Sequence, residues 1–278
     1  MDNLKAKKRH PEEIAVYSAI YVCAAFSVLL LLGIIVYVFA KGARRVNWAF
    51  LTGVTSILHG TVGIAGNILN TLIIILLTMI ITTPIGVGAA IYLNEYAKPG
   101  KLVTVIIFAT ETLAGIPSII FGLFGMLFFG QLCHMGYSLL TGSLTLTLMV
   151  LPLVTRNTQE ALKTVPDSFR TGAVGLGAGK WYTIRTILLP SAMPGIVRII
   201  GESAALLFTA GSAHLLPKTF DAFLEKIFHS GGTLTIQLYL SASKGEFEVA
   251  FGIAVVLLVI VLLINFGTKR LAKKLEKH

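Results

Sequence analysis

Arg198 and Glu202 stand four residues apart inside one apolar run, and Glu111 stands inside another. Four residues is close to one helical turn, so the pair shares a helix face. Charge within lipid is costly and is kept where a partner or a polar pathway receives it. The pair therefore has two readings. It is either a self-neutralising couple that sets helix packing, or an arginine facing a polar path to attract an anion. In the second case Glu202 orients Arg198 or limits how tightly the anion is held, which suits a carrier that must release. Glu111, within the segment from Thr110 to Ser118, is the third pathway candidate. A proton relay through it is disfavoured, because no chain of His, Asp or Glu accompanies it.

A second stretch, from Ala173 to Pro190, is polar, Gly-rich and basic between two long apolar runs. A short helix ended by Gly175 or Gly177 and a second opened near Lys180 and closed at Pro190 would form a protruding knob. The alternative is an amphipathic connector lying on the lipid surface. No Gly-Lys-Ser/Thr ending follows these glycines in phosphate-loop register, so the chain is not expected to hydrolyse nucleotide by itself. Cys23 and Cys133 fall in different settings, and His10, His59, His134, His214, His229 and His278 are scattered. Neither a disulfide framework nor a metal site is expected.

The elements that hold these residues follow from composition. Hydrophobic residues make up 55% of the 278 and charged residues 13%, with mean hydropathy +0.82. No water-soluble domain of this length has that balance. About 20 apolar residues span the hydrocarbon as a helix. Such runs occupy Ile14 to Phe39, about Ile68 to Tyr92, Leu102 to Phe129, about Ser138 to Thr155, Ala192 to about Leu216, and Val249 to Phe266. Nothing alternates with the period of two that a barrel requires. The fold class is an all-α integral membrane protein with six transmembrane helices. Residues 1–13 form a cytoplasmic N-terminal segment, 14–268 the six-helix membrane domain, and 269–278 a cytoplasmic basic tail. Lys5 to Arg9 before a long apolar run resembles a signal peptide, but no small-residue cleavage site follows and the run is read as a retained first span.

Lys and Arg set the orientation. With six spans, one side carries Lys5, Lys7, Lys8, Arg9, Lys98, Lys101, Arg156, Lys163, Arg170, Lys180, Arg185 and the basic tail. The other has Lys41, Arg44, Arg45, Lys218, Lys226 and Lys244. Both termini and the 156–190 loop are thus expected to be cytoplasmic. The net charge of +10 is accounted for by topology, and it attracts an anionic lipid surface rather than nucleic acid. Pro84 and Pro117, among Gly86, Gly88, Ala89, Ala90 and Gly115, mark points of bending or close helix approach. No inverted half-to-half repeat is visible, which weakens the case for common secondary-transporter folds.

The loop resembles that of type I ABC importer permeases, patterned Glu-Ala-Ala, then Gly, then Ile-x-Leu-Pro at a fixed distance. Gly177 takes the Gly position, Ile187 the Ile, and Leu189-Pro190 the ending, whereas Thr171-Gly172-Ala173 stands where Glu-Ala-Ala is usual. The Arg198 to Ala210 segment is similar to the Arg-Ala-x-Gly-Glu-Thr-Ala-Pro-Leu-Leu segment of the phosphate-specific branch, PstA type. Ser203 and Ala205 replace its Thr and Pro. Leu113 to Phe124 resembles the Ala-Gly-Ile-Pro-Ser pattern of the same branch, and Gly60 to Thr71 its outer Gly-rich segment.

That resemblance implies a permease subunit in a bacterial or archaeal cytoplasmic membrane, translocating inorganic phosphate by alternating access. Arg198, Glu202 and Glu111 would lie on the pathway. Arg170, Thr171, Gly172, Ala173, Gly177, Lys180, Ile187, Leu189 and Pro190 would form the ATPase coupling loop. Its implied partners are a second permease of PstC type, two ATPase subunits of PstB type and an extracytoplasmic binding protein of PstS type, with membrane lipid around them. ATP and Mg would sit on the ATPase, and no cofactor on this chain. Rival readings are a permease of the same architecture for another oxyanion or phosphonate, and an anion channel.

Overall fold

The computed structural model describes residues 11–56, 61–188, 213 and 220–275. The chain begins with α1 (Pro11–Gly42), a one-turn helix α2 (Trp48–Thr52) and a small hairpin of β1 (Val54–Ser56) and β2 (Thr61–Ile64). Then come α3 (Ala65–Ile91), α4 (Lys101–Ala114), α5 (Ser118–Gly125), α6 (Leu139–Lys163), α7 (Asp167–Gly175) and α8 (Lys180–Thr183). After the fifth expected span, of which only Ala213 is among the described residues, follow α9 (Phe220–Lys226), α10 (Leu234–Ser243) and α11 (Phe247–Leu275).

The centre of the fold is the seam between α3 and α6. Along α3 the buried positions include Asn67, Thr71, Ile74, Thr78, Thr82, Gly86 and Ala90, spaced by three or four and so forming one stripe. On α6 they include Leu139, Ser143, Leu146, Val150, Val154, Thr158 and Leu162. Small and hydroxyl-bearing residues let the two backbones approach closely, which is how helices associate without a hydrophobic drive in lipid. A Cβ added to Gly86 would lie 2.8 Å from the Val154 side chain. Ile73 and Ile74 pack on Leu139 and Leu146 at one end, and Ala90 on Leu162 at the other. The two helices therefore run parallel, as the second and fourth crossings of an alternating path must.

Parallel packing decides what happens between them. The segment after α3 must return the chain to the opposite end before α6 begins. Sequence reading expects one span over Leu102 to Phe129 with a bend or close approach marked at Pro117; the structure shows how sharp the bend is. The segment is α4 and α5, the latter running on as a π-helical turn Met126–Leu132, with 100° between the two halves. The helix ends where Gly115 and Ile116 donate to the carbonyls of Thr112 and Leu113 in tight three-residue turns. Pro117 follows in an extended conformation, without an N–H, and starts the new direction. Pro84, by contrast, lies inside an unbroken α3, and Pro152 inside α6. The fourth expected span also proves longer, since α6 continues through Arg156 to Lys163.

Four described helices are long and apolar enough to cross a membrane, and the bent pair makes a fifth. Large side chains of α1 are exposed along its whole length, as befits a lipid-covered helix, and it touches α11 where Tyr37 meets Phe251 edge-on at 5.7 Å. At the end where α3 begins, Phe50, Ile64, Leu234, Val249, Ile253 and Val256 form a core that joins the hairpin to α10 and α11. Asn67 and Asn70 donate to the Gly232 carbonyl at 2.9 and 3.0 Å, and Asn70 also to Ala213 at 3.1 Å. The Leu234 N–H donates to the Thr71 hydroxyl at 3.0 Å. These bonds satisfy backbone groups that lipid would leave unpaired.

Candidate functional site

At the opposite end, after Lys163, the apolar pattern stops and the loop folds into the knob. Pro166 precedes α7 in an extended conformation, and Asp167 sits in the first turn, favourable to the helix dipole. The end of α7 is a Schellman turn: Gly177 N–H donates to Val174 at 2.9 Å, and Ala178 N–H to Ala173 at 3.0 Å. Gly177 has φ +78°, the left-handed region that glycine enters without strain. Gly179 is extended and starts α8, which passes into a π-helical turn Ile184–Leu188.

This double turn sorts its side chains into two faces. Ala173, Thr183, Ile184 and Leu188 are buried, and Ile184 and Leu188 pack on Ala90, Leu162 and Val165, the ends of α3 and α6. On the other face, Val174, Trp181 and Tyr182 are exposed and Leu176 is 91% accessible. No Cβ built on Gly172, Gly175, Gly177 or Gly179 would meet anything within 4 Å, so this surface is open and shallow. An apolar tip rimmed by Lys180 and Arg185 is suited to a protein groove.

The other expected coupling residues fall as follows. Thr171 is exposed and donates to the Asp167 and Ser168 carbonyls at 3.2 Å, and Gly172 lies beside it on the open face. Lys180 places Nζ 4.7 Å above the Tyr96 ring. Ile187 is half-buried. Leu189 and Pro190 lie outside the described residues, as do Arg198 and Glu202.

Arg170 is turned inward. Its Nη2 lies 2.9 Å from Glu95 Oε1, and Nε lies 3.3 and 3.4 Å from the two carboxylate oxygens. Nη1 donates to the Val165 carbonyl at 2.9 Å and to Asp167 at 3.0 Å, while Nη2 also reaches the Leu162 carbonyl at 3.1 Å. The Glu95 side chain is only 8% exposed. Hydrogen bonding to Glu95 raises the Arg170 guanidinium above its ordinary value; burial opposes the rise without cancelling it.

Glu95 is the residue that sequence reasoning missed. It lies in the π-helical turn Tyr92–Tyr96 that ends the second span. Its signal was modest: it is the acid in a short segment otherwise notable for Lys98 and Lys101.

Glu111 sits on α4, exposed, with no hydrogen bond or ion pair among the described residues. Ten residues of helix, about 15 Å, separate it from Lys101 at the helix start. The structure thus keeps Glu111 apart from the knob, and it points away from the chain's own core. Among the described residues no three His, Cys, Asp or Glu side chains converge in a metal-binding group.

Residues 82–278, which include the knob and the whole of α6, match the family described as binding-protein-dependent transport system inner membrane component. The chain belongs to that family. This permease is 33% identical to the probable ABC transporter permease protein YqgI of Bacillus subtilis, covering 92% of this chain and 93% of that protein. It is 32% identical to the phosphate transport system permease protein PstA of Xylella fastidiosa, over 84% and 82% of the two chains. Its fold is that of a chain in the crystal structure of a bacterial alginate ABC transporter. The two superpose with a TM-score of 0.66 at 16% identity, covering 94% of this permease and 96% of that chain.

Proposed function

We propose that this permease is the membrane-spanning subunit of an ATP-driven importer of inorganic phosphate, with the substrate delivered by an extracytoplasmic binding protein. The observation that carries the reading is the knob itself: an exposed apolar tip, Leu176, Trp181 and Tyr182, built on the ends of the two best-packed helices. Such a tip gains by entering a groove on an ATPase subunit. Closure of two ATPases on ATP and Mg then shifts the membrane helices between inward- and outward-facing populations. The PstA-named relatives support phosphate as the cargo.

Within this reading Arg198 lowers the electrostatic barrier for a partly dianionic solute in a low-dielectric path, and Glu202 prevents tight retention. Glu111, exposed on α4, meets that path or the second permease. Thr171 and Gly172 contribute to the docking face, while Leu189 and Pro190 close it.

Uptake of radiolabelled phosphate into proteoliposomes tests the proposal. They contain this chain, a PstC-type permease and a PstB-type ATPase, with binding protein outside and ATP inside. ATP-dependent uptake competed by arsenate, but not by sulfate, molybdate or phosphonate, is the expected result. ATP-driven uptake of another anion would replace the substrate and keep the architecture. Flux that persists without ATP, and after deletion of residues 167–183, would replace the importer with a channel.

A further inference from the structure

The guanidinium of Arg170 touches three elements at once. It holds Glu95 at the end of α3, the carbonyls of Leu162 and Val165 at the end of α6, and Asp167 on its own helix α7. The carbonyls at a helix C-terminus lack intrahelical partners and carry partial negative charge, so a cation there is doubly favoured. Glu95 lies 75 residues away in the chain and is nearly inaccessible. Lys180, from α8, adds a contact to Tyr96 in the same turn as Glu95. The turn is π-helical, with Ala97 N–H donating back five residues to Tyr92 at 2.8 Å. A π-turn widens the helix and changes the direction in which its side chains project.

We propose that Glu95 and Arg170 are positioning residues that couple the docking surface to the membrane helices: they make α7 and α8 move as one body with the inner ends of α3 and α6. The inference rests on the reading that α7–α8 docks on an ATPase. It assigns Arg170 to the inward side of that docking unit, where it transmits displacement rather than meeting the partner. Hydrophobic contact through Ile184 and Leu188 holds the unit against the same two helices, but apolar contacts are non-directional and allow sliding. The fork of Arg170 fixes both distance and orientation, which apolar packing does not. A push on the tip at Leu176 therefore reaches α3 and α6 together, and these carry the central seam.

The test uses Glu95→Gln and Glu95→Asp in the full chain, in nanodiscs and in the assembled transporter. In nanodiscs, amide hydrogen exchange over residues 92–97 and 167–178 is expected to rise about tenfold in E95Q and to stay near wild type in E95D. The N-terminal half of α6 should not change. In the assembled transporter, E95Q should still copurify with the PstB-type ATPase and hydrolyse ATP, while substrate imported per ATP falls about tenfold; E95D should recover at least half of it. Unchanged exchange, or an unchanged import-to-hydrolysis ratio in E95Q, overturns the proposal. Loss of ATPase copurification in E95Q also overturns it, because the pair would then shape the docking face. If the wild-type chain itself recruits no ATPase, the docking reading fails, and the exchange result alone decides whether the tie between α7 and α3 exists.

Discussion

At the scale of single residues, the knob depends on one backbone conformation and one ion pair. Gly177 holds a positive φ, and any L side chain there pays about 1 kcal/mol or more in strain. Nothing lies within 4 Å of its added Cβ, so a side chain meets no steric block and the cost falls on the turn alone. Gly177→Val is therefore expected to fray the end of α7 and weaken ATPase binding several-fold, with the membrane core unaffected. Binding measured by titrating the ATPase against the variant in nanodiscs, alongside thermal unfolding, checks both halves. The Arg170 pair makes a prediction about pH. A cation whose pKa is raised on folding stabilises fully below its unfolded value and loses that contribution only as pH climbs through the folded value, here raised beyond arginine's already strongly basic range by the hydrogen bond to Glu95. Between roughly pH 6 and 9 the arginine's contribution is flat. Hydrogen exchange of residues 167–178, corrected for the intrinsic amide rate, should show no added alkaline opening; a marked one would mean that something other than Arg170 holds α7.

At the scale of elements, the seam between α3 and α6 contains two kinds of buried polar group, and they should respond oppositely to removal. Thr82 and Thr158 have fully buried hydroxyls without a partner among the described residues. An unmade hydrogen bond in the interior is a standing cost, so an apolar isostere is neutral or stabilising. Asn70 instead joins the Gly232 and Ala213 carbonyls to α3, and its loss removes both of these bonds, leaving Gly232 to Asn67 and Ala213 to the Gly232 N–H. Thr82→Val should leave the unfolding temperature unchanged or raise it, whereas Asn70→Leu should cost about 2 kcal/mol. Thermal unfolding of the two variants in the same detergent reads the difference in sign. The same elements show where sequence reading succeeds and where it stops. The spans over Ile14 to Phe39, Ile68 to Tyr92, Ser138 to Thr155 and Val249 to Phe266 lie within α1, α3, α6 and α11 or overrun them by one residue, because apolar content over about 20 residues decides what enters lipid. The break at Gly115-Ile-Pro117 escapes that count. A run of apolar residues has a length but no direction, and Pro84 and Pro152 sit in unbroken helices while Pro117 does not. What distinguishes Pro117 is the glycine two residues before it, which lets the preceding helix end. The two-turn knob, with Gly177 after its first helix and Lys180 opening its second, was also legible, because glycine and local caps act over a few residues. The inward turn of Arg170 was not, since its partner lies beyond α6 in another part of the chain.

For the whole molecule, the parallel course of α3 and α6 and the bent return between them produce a chain whose polar working parts lie at separate levels. The knob of α7 and α8 is at one end, Glu111 well along α4, and the asparagine clamp at the other end. Arg198 and Glu202 belong to the fifth expected span and lie outside the described residues. The import reading requires that a charge on this span act on flux and not on assembly. Arg198→Gln keeps a polar side chain and removes the charge, so phosphate uptake should fall at least tenfold while the subunits still copurify. Normal uptake by a fully assembled variant would remove Arg198 from the pathway.

The hydroxyls along the central seam have one more consequence. Thr71, Ser143, Thr145, Thr147 and Thr155 each donate to a carbonyl of their own helix, four residues back. Between α3 and α6 themselves, Thr78 reaches the Ser143 carbonyl only through a long bond of 3.5 Å. These five hydroxyls are thus satisfied within their own rod, and the rods meet through many small groups. Such a joint behaves as a plain bearing: its resistance to separation is high, its resistance to a small axial slip is low, and the long Thr78 bond is a weak directional tie against a shift by a fraction of a turn. Motion in this permease then costs little where the helices touch and is governed at their two ends, where the asparagine clamp and the arginine fork are fixed.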